Sequence, residues 1–189
     1  MNRAVKTGLP VALLMTLISH GATAAEPLVT EGFINAPVAE VWRLFTTSEG
    51  YKATGVAQAS VDLRIGGEIR SHYGGPDGKQ GQLGDAETIV NEILAYEPER
   101  MLAMRIKQAP ASFPHRSAID GTWTVIYFNP AGQDVTQVRV VGLGYRDTPE
   151  SQALRQFFEQ GNRQTLDHIA KRYWPKCPRC QLEPAPPTE

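Results

Sequence analysis

The chain has 189 residues, of which 41% are hydrophobic and 21% charged, with a formal net charge of −1. That length suits one ordinary domain and is short for two. A charge this close to zero leaves no basic footprint for nucleic acid, and no acidic run marks a solvating tail.

The first residues read as a targeting segment. Arg3 and Lys6 form a positive start, Leu9 to Ile18 a short apolar core, and Ala22-Thr23-Ala24 the small residues that a signal peptidase reads. The apolar run falls far below the ~20 residues that a membrane-spanning helix needs, so no transmembrane anchor is expected. Residues 1–25 are therefore expected to be a signal peptide cleaved near Ala24 or Ala25. No cysteine lies near that point, which excludes a lipoprotein, and the mature protein is expected to be periplasmic or secreted.

In chain order, Leu28 to Ile34 alternates in part and reads as a first strand. Asn35-Ala36-Pro37 then changes the period. Pro37 suits a first helical turn, and Val38, Val41, Trp42, Leu44 and Phe45 give an apolar helical face. Thr46-Thr47-Ser48-Glu49 resembles a cap before a second short helix that carries Tyr51 and Lys52 and closes at Gly55.

From Ala57 to Tyr145 the pattern is strands: 58–63, 68–73, 85–95, 101–107, 117–128 and 136–145. Gly74-Gly75-Pro76-Asp77-Gly78 is the clearest turn signal, Glu97-Pro98-Glu99-Arg100 a break, and residues 109–114 an irregular loop carrying Pro110 and Pro114. Strands at this spacing, each ending in turn chemistry, predict an antiparallel meander.

Residues 150–173 then predict one long helix. Leu154, Phe158, Gly161, Thr165, Ile169 and Tyr173 form its apolar stripe, flanked by Phe157 and Leu166, and Trp174-Pro175 stops it. A helix this long and one-sided needs a large apolar partner. The expected fold is α+β: a curved antiparallel sheet of about six or seven strands around the C-terminal helix, with two short helices after the first strand. The domain is expected over residues 26–175, followed by a Pro-rich tail over 176–189.

Several residues invite a functional reading. Gly161 costs about 1 kcal/mol against Ala in mid-helix. Either its missing side chain leaves room for a ligand between Phe158 and Thr165, or it reflects close helix–sheet packing or simple sequence drift. Glu68, Arg70 and His72 share one strand face, and Ile69, Ser71 and Tyr73 the other. Facing inward, the charged set would be a polar patch with His72 as an acid or base; facing outward, it is a solvated surface. Trp42, Tyr51, Trp123 and Tyr127 are the aromatics placed to line a pocket, or simply to pack a core. Arg105 and Arg139 offer either head-group neutralisation or ordinary surface charge.

Cys177-Pro178-Arg179-Cys180 most simply forms a short-loop disulfide in an oxidising compartment. Free or intermolecular thiols, or a redox or metal role, are the alternatives; the pair follows a helix end, which offers no activation for redox work. His72, His115 and His168 show no metal-ligand spacing, so no metal site and no cofactor are expected. No nucleophile elbow, phosphate loop or dinucleotide fingerprint is present.

The order of elements, with the phrases Ala36-Pro37-Val38-Ala39-Glu40-Val41-Trp42, Asp62-Leu63-Arg64-Ile65-Gly66-Gly67-Glu68 and Tyr96-Glu97-Pro98-Glu99-Arg100-Met101-Leu102, resembles the SRPBCC superfamily. This is the helix-grip fold of START lipid-transfer domains, the birch-pollen allergen and polyketide cyclases. Within it, the chain looks most like domains homologous to the activator of the heat-shock-protein-90 ATPase. It departs from their pattern in its signal segment, in its cysteine-containing tail, and in Tyr51 standing where a second Trp is usual.

The resemblance implies a cavity between the concave sheet and the long helix, suited to apolar or amphipathic small molecules. Fold alone does not assign function. Three functions follow as expectations: a small-molecule binding protein without chemistry, a cyclase- or hydratase-like enzyme using His72, Glu68 or His168, or a co-chaperone-like protein-interaction module.

Overall fold

A computed structural model of the chain describes residues 26–74 and 81–174. The expected signal peptide, the heart of the Gly74–Gly78 turn and the Cys177/Cys180 pair with its tail lie outside these described residues.

The elements run β1 (Leu28–Ile34), α1 (Val38–Thr46), α2 (Ser48–Lys52), β2 (Gln58–Val61), β3 (Glu68–His72), β4 (Ile89–Glu97), β5 (Met101–Gln108), β6 (Trp123–Gly132), β7 (Val135–Leu143) and α3 (Pro149–Tyr173). All seven strands join one antiparallel sheet in the order β1-β7-β6-β5-β4-β3-β2. Strands β2 to β7 are thus a plain meander, and β1 closes the far edge against β7. This is the expected α+β helix-grip architecture, with the sheet curled around α3.

Local chemistry fixes the element ends. Thr47 caps α2, its hydroxyl accepting the Gly50 N–H at 3.0 Å. Thr148 caps α3 and Pro149 takes the first helical turn, so the helix starts slightly earlier than Glu150.

Most strand ends shift by a residue or two from expectation, and three differ by more. Residues 85–88 form a turn instead of the start of β4, because the Asp85 carboxylate accepts the backbone N–H groups of Gln82 and Glu87. Residues 117–122 precede β6 as a 3-10 turn and a bend, with Gly121 at φ 85°. The β6–β7 hairpin instead runs on through Pro130. Strand β5 no longer pairs beyond Tyr127, so the missing proline N–H leaves no gap in a ladder.

The core falls into two clusters. The larger joins α1, the sheet centre and the C-terminal half of α3 through Val41, Phe45, Ile93, Leu102, Phe128 and Ile169. Phe128 anchors it, with its ring edge-on to Trp42 at 5.3 Å and to Phe45 at 5.4 Å. The smaller gathers Leu28, Ala109, Ala118, Ile119, Tyr145 and Leu154 at the N-terminal end of α3. Each fully buried aliphatic side chain contributes about 1.5–3 kcal/mol.

Candidate functional site

Helix α3 buries its ends and leaves its middle uncovered. Ser151 and Leu154 are buried near one end, and Leu166, Ile169 and Tyr173 towards the other. Between them, Phe158, Gly161, Asn162 and Thr165 face a cavity of about 430 Å³ that both core clusters border. Its size lies within the about 300–1,000 Å³ usual for small-molecule sites.

Gly161 meets nothing on the cavity side: a Cβ built there finds no heavy atom within 4 Å. Close packing against the sheet is therefore ruled out as the reason for this glycine; its missing side chain adjoins open space, which suits both ligand room and simple drift.

The sheet contributes Ser71 from β3, Asn91 from β4, Met104 and Ile106 from β5, Ile126 from β6 and Val140 from β7. Tyr51 enters from α2. Burial pushes its phenol well above the ordinary tyrosine range, and the neighbouring Tyr73 adds to the shift. Tyr145, past the end of β7, is pushed up to about 12 by desolvation, against the opposing charge of Arg155. Both phenols therefore stay neutral at physiological pH. Phe113, on the β5–β6 loop, meets Phe157 edge-on at 5.4 Å and Phe158 tilted at 6.2 Å, closing the wall between that loop and α3.

Of the eight residues singled out for ligand contact, Tyr51, Trp123, Phe158, Gly161 and Thr165 line this cavity. Trp42, His72 and Tyr127 do not. Trp42 is a core residue packed on Phe128 and, at 6.5 Å, on Tyr96. Tyr127 lies on the outer face of β6, with the Arg139 guanidinium 6.0 Å from its ring. His72 is buried on the face of β3 that points away from the cavity, where Gly81 packs so closely that a Cβ would strike its ring.

The charged alternation on β3 thus faces outward. Glu68 pairs there with Arg70 at 2.8 Å and Lys107 at 2.7 Å, and these two partners, Lys107 first, hold its carboxyl below the usual range. His168 is exposed on α3. None of the three side chains considered as an acid or base therefore borders the cavity. Arg139 pairs with Glu31 at 3.0 Å on the outer surface. Arg105 touches the cavity lining from an outward position on β5, with its guanidinium held by Glu92 at 2.7 Å.

Sequence reasoning missed Ser71, Asn91 and Phe113. Ser71 had a visible signal, since it alternates with Ile69 on the apolar face of its strand. Among the described residues no cluster of three or more His, Cys, Asp or Glu could hold a metal ion, and no helix is long and apolar enough to cross a membrane.

A curled antiparallel sheet closed by one long helix over an apolar cavity defines the helix-grip class. Within it, residues 35–173 match the family described as "Activator of Hsp90 ATPase homolog 1-like protein", and the chain belongs to that family. Solved structures agree on the fold. A Mycobacterium smegmatis protein aligns with a TM-score of 0.59 at 18% identity, covering 82% of this chain and 100% of its own. A Mesorhizobium loti protein gives 0.57 at 18%, covering 77% and 95%. An HSP90 activator from Plasmodium falciparum gives 0.55 at 14%, covering 77% and 94%. A search of curated proteins returned no match.

Proposed function

We propose that this protein binds a small apolar or amphipathic molecule in the cavity beneath α3, without performing chemistry on it, and that it does so in the periplasm or outside the cell. The observation that carries the reading is the uncovered middle of α3. A helix whose two ends are packed and whose centre faces about 430 Å³ of open space is built around something other than its own core. The lining is mostly apolar and aromatic with a few convergent polar groups, the usual composition of small-molecule sites.

The absence of any histidine or carboxylate from the described lining favours binding over an acid–base reaction. The export half of the proposal rests on the n-region, apolar core and Ala-Thr-Ala pattern of residues 1–25. In that compartment the Cys177/Cys180 pair would be a disulfide.

The protein-interaction reading finds less support. Val29 and Phe33 are exposed on the outer face of β1, but the Glu31–Arg139 ion pair sits between them.

The test is native mass spectrometry of the mature protein from the periplasm, under non-reducing conditions. A co-purified small molecule, or uptake of added hydrophobic probes, is expected. A protein that stays empty against a broad apolar panel would overturn the reading. The amino-terminal mass reads the cleavage point, and the mass difference on reduction reads the cysteines.

A further inference from the structure

We propose that the cavity selects an uncharged ligand with an aromatic body and a carbonyl or hydroxyl head group, and that Ser71 and Asn91 hold the head. This rests on the ligand-binding reading above and specifies its chemistry.

The first support is an unmet hydrogen-bonding capacity. Asn91 is only 9% exposed and Ser71 only 3%, yet neither side chain makes a hydrogen bond within the described protein, and both line the cavity. Buried polar side chains are overwhelmingly partnered. A pair left open on one cavity wall is capacity directed at an occupant. The strand register brings them together: Asn91 stands opposite Ile69 and Ser71 opposite Ile89, which makes them diagonal neighbours on the inner face of β3 and β4. Between them they present an amide donor pair, an amide acceptor and a hydroxyl that does either. That set matches a ketone, amide or alcohol.

The second support is charge. No Asp, Glu, Lys or His lines the cavity among the described residues, and the one lining guanidinium is bound outward to Glu92. The lining phenols are held neutral. Among the described lining residues a carboxylate or ammonium would find no counter-charge that is not already paired, and it would lose its hydration, so an uncharged ligand is favoured.

The third is shape. A separate wall, built by α3 and the β5–β6 loop, presents the rings of Phe113, Phe157 and Phe158 at mutual distances of 5.4, 6.2 and 5.6 Å. Rings set edge-on or tilted at such spacings make an aromatic wall against which another ring can pack in the same geometry.

The experiment titrates the mature protein with three probes of one shape: methyl naphthyl ketone, naphthoate and naphthalene, read by calorimetry or by protein NMR shifts. The ketone should bind about tenfold or more tighter than naphthoate. Asn91→Leu should weaken the ketone about five- to tenfold while leaving naphthalene unchanged or tighter, and Ser71→Ala should act in the same direction. Naphthoate binding as tightly as the ketone, or both variants keeping full ketone affinity, would overturn the head-group assignment while leaving the binding function intact. Failure of all three probes, naphthalene included, would instead take down the apolar-site reading itself. Should Asn91→Leu not fold, the ketone-to-naphthoate ratio of the wild type and the Ser71→Ala variant still decide.

Discussion

His72 Nε2 lies 3.3 Å from Asp85 Oδ2, while Nδ1 of the same ring accepts the Gly74 backbone N–H at 2.9 Å. Accepting at Nδ1 puts the proton of a neutral imidazole on Nε2, the nitrogen that faces the carboxylate. Nε2 nevertheless makes no hydrogen bond to that carboxylate, so the pair is a contact in which the ring N–H dipole faces a negative oxygen. Its role is structural: it ties the turn before β4 to the outer face of β3.

For Asp85, burial alone would raise the carboxyl, but the backbone N–H groups of Gln82 and Glu87, the His72 ring and the Thr88 hydroxyl together lower it. A carboxyl whose folded value lies below its unfolded value adds stability above the unfolded value, near about 4, and loses it as pH falls through the folded value. The wild-type Tm should therefore drop below about pH 4. Asp85→Asn should start less stable at neutral pH and decline less steeply, so that the two curves converge in acid. Parallel curves from neutral pH down to the acid transition would show that this carboxylate does not hold the turn.

Gly161 separates backbone cost from cavity space. Ala at this position meets no neighbour and gains helix propensity, so Gly161→Ala should raise stability by about 0.5–1 kcal/mol in urea denaturation. Gly161→Leu should stay folded and abolish probe uptake, because its side chain enters the space a ligand would take. Unaltered uptake in the Leu variant would mean that ligands bind elsewhere.

Much of the fold was legible because it rests on periodicity. The 150–173 stripe, the Pro37 helix start and the turn at Glu97–Arg100 all correspond to elements of the structure. The boundaries that slipped are those where a side chain overrides the pattern, as Asp85 does by binding backbone N–H groups at a place where apolar alternation continues. The site was legible only in part. Gly161, Phe158 and Thr165 followed from the helix stripe, but Trp42 and Tyr127 look the same in sequence as Tyr51 and Trp123. Which aromatic meets the cavity depends on strand register and helix rotation. His72 illustrates the ambiguity of period two: alternation says which residues share a face, and it does not say which face is inside.

Gly50 sets the close approach of α2 to α1. A Cβ there would collide with the Arg43 carbonyl oxygen and crowd the Leu44 Cα at 2.7 Å, and both neighbours are backbone that cannot rotate away. Gly50→Ala should cost about 1–3 kcal/mol in denaturant unfolding. Because α2 carries Tyr51 into the cavity, the variant should also lose probe affinity, in contrast to Gly161→Ala. A Gly50→Ala variant with unchanged midpoint would mean that α2 docks less tightly than this geometry requires.

Phe113 is where the β5–β6 loop meets the cavity-facing stretch of α3. Its ring is partly buried against Phe157 and Phe158; further along, Ala118 and Ile119 of the same segment share a buried cluster with Leu154, and His115 makes an exposed contact to Glu150 at 3.2 Å. Exposed pairs of that kind contribute at most about 1 kcal/mol. Removing the ring should therefore loosen the wall far more than removing the ion pair. Phe113→Ala is expected to cost about 1–3 kcal/mol of stability and to speed release of the naphthyl ketone about tenfold in stopped-flow displacement. His115→Ala should leave both nearly unchanged. Equal release rates in the wild type and Phe113→Ala would place the exit route elsewhere on the cavity, away from the wall that Phe113 closes.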